Sequence, residues 1–494
     1  MKKIYYSIMM MSLFIIAGCK KDLYKDPIGL LTPDQVNTDP TLNSVKGSVT
    51  SSYQMLSSTL NLIGEWGWDD GTVLRNDFIL QDMASDDMQK KWNPDGDQAW
   101  MDDVSNFRFT ANNGAFNGIW SYDYEGIARC NLAISYLTDQ QIIDRIGMDA
   151  AMKDRLLGEV YFLRAFYYFD LVTNFGDVPM LTAPLKNFAE AYEVAKRVPA
   201  EEVWNLISTD LASARQMLPN SKYSDDTERW RASKGAAIAM QAKVALFHKQ
   251  YQEVIDNVEA LKALGFYELD DNYFDNFAIS KEFNEDEVIF AYNHESQKNP
   301  RNGNGLCALL GWGFVAPTQD FLDEFEPNDP RLLYTVDVSE QAVYKLLGET
   351  NTSNKGNDDA ASNKVYIRYA DVLLWEAEAK LELGDYAGAI EIINLVRERA
   401  RNTVTIDGTM PPANTLPDRP ASTDKAEVTN WLRHERRVEL GFEGHRFNDL
   451  KRWNIAKEVL TAMGKNFQDK NYLYPIPQGE IDKSGGSITQ NPGY

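Results

Sequence analysis

RHERRVELGFEGHRFNDLKRW, residues 433–453, is the stretch on which the reading of this chain turns. Its 21 residues hold five arginines, one lysine and two histidines, set among Val438, Leu440, Phe442, Phe447, Leu450 and Trp453. Phe447, Leu450 and Trp453 recur every third position, which places them along one helix face. Gly441 and Gly444 bracket Phe442 and Glu443, so the pattern predicts helix, tight turn, helix. A solvated charged surface has no use for so many aromatics. The expectation is a partly buried network in which the arginines pair with Glu435, Glu439 and Glu443, carboxylates that suit a planar guanidinium. His434-Glu435 opens a zinc-protease HExxH pattern, but Val438 stands where the second histidine belongs. A structural network is therefore the reading.

Bulk properties narrow the function. The formal charge of −23 makes nucleic acid a poor partner, because an acidic surface cannot replace phosphate counterions. An apolar share of 44% is ample for a core, and the length admits two to four domains or one continuous helical array. Three cysteines, Cys19, Cys130 and Cys307, are too few for a disulfide scaffold, and no C-x-x-C pair offers zinc ligands. At the start, Lys2-Lys3 precedes an apolar run over 4–16 that is too short to span a bilayer and reads as a secretory signal. It ends in Ile16-Ala17-Gly18-Cys19, similar to a bacterial lipobox, so residues 1–18 are expected to be removed and Cys19 to carry the lipid anchor.

Four of the eleven tryptophans, Trp66, Trp68, Trp92 and Trp100, fall within 35 residues, where an even spread would put about one. Asp69-Asp70-Gly71, the 93–97 turn NPDGD and Asp102-Asp103 are interleaved with them, marking loops. Aromatic faces beside planar polar groups are what sugar rings require: C–H faces stack and amides or carboxylates take the hydroxyls. Trp92 and Trp100 flank that turn, and Trp312 stands between Gly311 and Gly313; these three are the expected stacking faces, with Tyr292 a fourth. Trp66 and Trp68 alternate too closely for both to face one ligand and are left out. No cofactor is expected. The Asn93-x-Asp95-x-Asp97 oxygens leave room for a calcium ion, although Gln98 and Val104 depart from an EF-hand loop.

Helical periodicity is strong over 42–60, 116–137, 159–174 and 201–218, the third apolar on nearly every side and so expected to be buried. Residues 233–264 read as a helical hairpin, and a second copy lies at 366–400. Aligning Tyr251 with Tyr386 also pairs Ala242 with Ala377, Leu246 with Leu381, Ile255 with Ile390 and Val258 with Ile393, a tetratricopeptide pattern. The copies are separated by far more than one period of about 34 residues, so other structure interrupts the array. Between them, 287–292 reads as a short strand. Gly303-x-Gly305-x-x-Ala308 follows Pro300 in a loop instead of a strand, against a dinucleotide site.

Four further segments join the opening one. Arg437, Glu439, Leu440, Phe442, Glu443, Gly444, Arg446, Asp449, Leu450, Arg452 and Trp453 stand as in the C-terminal signature of the SusD/RagB family of outer-membrane nutrient-binding lipoproteins. Residues 124–131 (YEGIARCN), 163–179 (LRAFYYFDLVTNFGDVP), 474–480 (YPIPQGE) and the 491–494 NPGY are similar to other runs of that family. The resemblance implies a mainly α fold, a tetratricopeptide-like hairpin scaffold with long loops and a few short strands. It divides the chain into an N-terminal region over 19–264, with the aromatic loop segment inserted, and a C-terminal region over 265–494. It implies a cell-surface, lipid-anchored outer-membrane protein, not an enzyme, that captures an oligosaccharide and delivers it to a TonB-dependent transporter of the SusC type. Two other classes compete. A tetratricopeptide lipoprotein could take a peptide or protein instead, and a lipid-anchored glycosidase would need two carboxylates, of which an acidic chain has many.

Overall fold

A computed structural model describes residues 38–63, 67–68, 71–91, 97–220 and 228–494. Helices dominate, and eleven of them carry the argument. They are α1 Leu42–Tyr53, α2 Gly114–Thr138, α3 Ala150–Phe175, α4 Ala200–Met217, α5 Lys234–Phe247, α6 Tyr251–Lys262, α7 Leu306–Gly311, α8 Tyr369–Glu382, α9 Tyr386–Asn402, α10 Lys425–Leu440 and α11 Arg446–Arg452. The strands used below are β1 Met88–Lys90, β2 Val288–Tyr292, β3 Val315–Pro317 and β4 Lys364–Arg368. They form two antiparallel ribbons, β1–β3 and β2–β4.

α3 is the axis of the fold. Asp149 caps its start and Gly176, at φ +73°, ends it. Its sequence is apolar on nearly every side because helices cover it all round: α1 and α2 pack on one side and α4 on the other. From α4 the array runs through α5 and α6 to α8, α9 and α10, each helix against the next. The two hairpin copies, α5–α6 and α8–α9, thus meet directly through α6 and α8. What interrupts them in sequence is looped out, and the scaffold is continuous in space. Small residues at the contacts, Ala242 and Ala377 among them, are fully buried. Cys130 sits in α2 with no exposed surface; burial pushes its thiol up to about 12, and that of the equally buried Cys307 likewise. Among the described residues no helix is long and apolar enough to cross a membrane.

Residues 433–453 form the expected helix, turn and helix. α10 stops at Leu440, Phe442 and Gly444 take left-handed φ values of +66° and +80°, and α11 begins at Arg446. The network is buried, but its pairing differs from the expectation. Glu435 and Glu439 accept from Arg331, at 2.6 and 3.0 Å. Glu439 also pairs with Arg368 and Arg399, Glu435 with Arg397, and Glu443 with Arg368 and Lys345. The segment's own arginines reach elsewhere: Arg436 to Asp371 and Asp449, Arg437 to Asp87, Asp320 and Glu324, Arg446 to Asp86, and Arg452 to Asp449 and Glu378. Helix geometry accounts for it. Glu435 and Glu439 are four apart and share a face, whereas Arg436 and Arg437 point round the helix away from them. Arg433 lies over the ring of Trp453, 5.1 Å from its centroid. Burying so many ions costs desolvation that their mutual attraction roughly offsets, so the network specifies an arrangement more than it adds stability.

Candidate functional site

The β1–β3 ribbon and α7 together present the aromatic face. Met88, Gln89 and Lys90 pair with Pro317, Ala316 and Val315, and the Lys91 amide donates to the Phe314 carbonyl at 3.2 Å. α7 is held by its apolar side, with Leu306 to Leu310 all buried. Its last residue, Gly311, lies so close to the 355–356 backbone that a Cβ there would stand 2.1 Å from Gly356 Cα. Gly313, at φ +80°, then reverses the chain. Between these two glycines the Trp312 ring is lifted out of the core and is 42% exposed.

Trp312 does not stand alone. Trp68 meets it edge-on with centroids 5.6 Å apart, and Phe314 lies 5.9 Å from Trp68 and 6.4 Å from Trp312. Such contacts hold the rings in fixed planes. Lys91 and Lys355 flank the same turn and converge on Glu340. Lys91 Nζ donates to its carbonyl at 3.3 Å, and Lys355 Nζ pairs with its carboxylate at 3.1 Å. Partial burial, with Lys355 nearby, lowers the Lys91 pKa. A fixed aromatic surface rimmed by ammonium and carboxylate groups suits a ligand with apolar faces and hydroxyl edges.

The other expected stacking residues are placed differently. Trp100 lies in a short helix with 9% of its surface exposed, its ring N–H spent on Gln98 Oε1 at 2.7 Å. Its carbonyl accepts from Asn113 at 2.9 Å, so it packs and braces the loop instead of offering a face. Tyr292 ends β2 with 7% exposed; its hydroxyl donates to Asn302 at 2.6 Å and its ring packs on His294. It walls a separate groove with Tyr53 and Trp230. Trp92, Asn93, Asp95 and Cys19 lie outside the described residues, so the calcium and lipid-anchor expectations fall there too. Among the described residues no group of three or more His, Cys, Asp or Glu side chains is arranged to hold a metal. The acidic pair Asp86–Asp87 is 1% exposed and clasped by Arg437 and Arg446, which is no place for an acid–base pair to meet a glycosidic bond.

Sequence reasoning missed Trp68. It set the residue aside for its closeness to Trp66, but spacing along a loop says nothing about which ring meets a partner 244 positions away. The Gly-Trp-Gly-Phe run marks a turn that carries two aromatics, and that turn is what brings Phe314 within 6.4 Å of Trp312.

Comparison with known proteins gives matches over most of the chain. A family model described as "Starch-binding associating with outer membrane" matches residues 33–246, and one described as "SusD family" matches 335–494. SusD-like protein P2 of Formosa agariphila is 25% identical over 528 residues, covering 98% of each chain. Among solved structures, one titled "Laminarin binding SusD-like protein" is 26% identical at a TM-score of 0.74, with 92% of this chain and all of that one covered. Surface glycan-binding protein A from Bacteroides fluxus is 25% identical at a TM-score of 0.75, with the same coverage.

Proposed function

Because this chain belongs to the SusD/RagB family, we propose that it is a surface glycan-binding lipoprotein of the outer membrane. It captures an oligosaccharide and passes it to a TonB-dependent transporter of the SusC type. One observation carries the binding part: the Trp312 ring, lifted between two glycines, stands exposed beside Trp68 and Phe314 and is rimmed by Lys91, Lys355 and Glu340. Trp312 and Trp68 supply stacking faces, and the charged rim takes hydroxyls. Trp92, two positions past the end of β1 in sequence, is kept as a third proposed stacking residue. Trp100 and Tyr292 serve as packing residues away from the stacking face. Acylation of Cys19 holds the protein at the membrane. Several acyl chains on one cysteine give firm attachment where a single chain does not.

The solved relative titled for laminarin binding makes laminarin oligosaccharides the first probe, with starch oligosaccharides and a peptide mixture beside them. Calorimetric titration of the whole chain is expected to show saturable binding of one glycan class, with the sugar recovered uncleaved. Cleavage would make the protein an enzyme, and binding of peptide alone would make it a peptide carrier.

A further inference from the structure

Behind the glycan face, at the junction of α3, α5, β4 and the 442–448 turn, lies a cavity of about 80 Å³. Three carboxylates (Asp77, Asp170, Glu443) and three ammonium groups (Lys243, Lys345, Lys364) line it, with His445 and Asn448. These side chains belong to the interior, yet Asp77 keeps 15%, Asp170 19% and His445 10% of its surface, because that surface is cavity wall. The space holds a few water molecules or one small ion.

The charges are unevenly committed. Asp77 holds Lys364 at 2.6 Å and also pairs with Arg75, which reaches Asp170 as well. Glu443 holds Lys345 at 2.8 Å and is gripped from behind by Arg368 at 2.7 Å. Every lining carboxylate thus has an arginine in addition to, or instead of, a lysine. Asp123 is a third carboxylate on Arg75, at 2.9 Å, and burial pushes its pKa well up. Lys243 is left over. Its ammonium makes no ion pair or hydrogen bond within the described residues and rests only against the faces of Phe169 and Trp375, 5.4 and 5.9 Å from their centroids. Asp371, Asp170 and Asp449 attract it from beyond pairing distance, and arginines already hold all three: Arg436 lies 2.9 Å from Asp371, Arg75 holds Asp170, and Arg436 and Arg452 hold Asp449. Burial lowers the pKa of Lys243 and of His445 alike. Asn448 Oδ1 is also buried without a donor.

We propose that this cavity is a site for one small monovalent anion, a halide or a carboxylate of formate or acetate size, held on Lys243 Nζ. The anion would seal the contact between α5 and the 442–448 turn, which share the cavity wall. An ammonium drawn out of bulk water with no carboxylate at pairing distance is costly, and a small anion at Lys243 Nζ lowers that cost without displacing any existing pair. Larger anions, including sugar acids, do not fit the volume.

Thermal melting of the whole chain tests it, at constant ionic strength with gluconate as the oversized reference anion. Replacing gluconate by chloride, formate or acetate is expected to raise Tm by about 3 °C at a hundredfold excess over Kd. In Lys243→Met that dependence should vanish. Should Lys243→Met fail to fold, chloride-35 line broadening of the wild-type protein, reversed by formate, gives the same decision. Equal melting in chloride and gluconate, an anion dependence that survives in Lys243→Met, or absent line broadening would each overturn the proposal. Glycan affinity reads the Trp312 face separately, so either reading can fail without the other.

Discussion

A single exposed ring carries the functional proposal, and single buried ions carry the fold. Trp312→Ala removes a stacking face from a surface that contributes little to the core. Affinity for the best glycan should fall about tenfold to a hundredfold, the equivalent of about 1–3 kcal/mol by analogy with base stacking, while Tm holds. Titration and melting of the same sample check both halves. Arg446→Ala should do the reverse. Its guanidinium donates to Asp86 at 2.8 and 2.7 Å, and Asp86 is 1% exposed. Stripping that carboxylate of both hydrogen bonds, with only Arg437 left at 3.2 Å, should destabilise by up to about 3–5 kcal/mol with glycan affinity of the folded fraction unchanged. A native melting temperature together with lost binding would move Arg446 from scaffold to site. His434 gives a pH signature. Burial opposes its charge, but the hydrogen bond to Glu324 at 2.7 Å and the neighbouring Glu326 win and raise it from 6.5 to about 9. A raised basic pKa stabilises the fold fully below pH 6.5, and the contribution, at most about 3 kcal/mol, is lost as pH rises through 9. Lys451, lowered by burial to about 7, and Lys465, to about 8, act in the opposite sense over the alkaline range. The difference between wild type and His434→Gln isolates the histidine, and a flat difference from pH 6 to 9 would refute it.

Elements differ in how openly the sequence declares them. The helices over 116–137, 159–174 and 201–218 appear as α2, α3 and α4, with α3 starting nine residues earlier than expected and the other ends within two, since long periodic stretches state their own packing faces. The strand at 287–292 appears as β2, and both tetratricopeptide hairpins are present. The β1–β3 ribbon was not legible. Three residues from position 88 pair with three near 315, too short to show alternation and too far apart for any turn signal. For the same reason the exposure of the expected stacking residues was not legible: Trp312 stands exposed at the end of α7, while Trp100 lies in a helix whose burial the surrounding aspartates disguised. The ribbon and α7 depend on the Gly311–Gly356 approach, so Gly311→Ala should push the 354–357 loop away and misplace Trp312. Glycan affinity should fall by at least tenfold, with near-unchanged far-ultraviolet circular dichroism. Full affinity in that variant would show that the turn does not position the ring.

At the scale of the whole molecule, the array of hairpins is continuous although its sequence is broken, and the charge network ties its end to its beginning. Which arginine meets which carboxylate could not be read from residues 433–453, because the partners sit on chain segments as remote as positions 86 and 331. The anchor belongs to this scale too. Cys19→Ser should move the protein from the membrane to the soluble fraction with its melting temperature intact, as fractionation and melting would report. Membrane retention of that variant would assign attachment to the transporter or to another segment.

The clasp of Arg437 and Arg446 on Asp86 and Asp87 also sets a timetable for biosynthesis. A nascent chain that has emerged only as far as α9 carries those two aspartates with no counter-ions to bury them, so the layer around β1 stays open until the final eighth of the polypeptide is released. Loop closure over some 350 residues is slow as well. If the chain is exported as the proposed lipoprotein, that delay is useful: premature compaction would jam the translocation channel. Chains cut before residue 433 should accordingly accumulate as protease-sensitive, unfolded species in place of truncated folded ones.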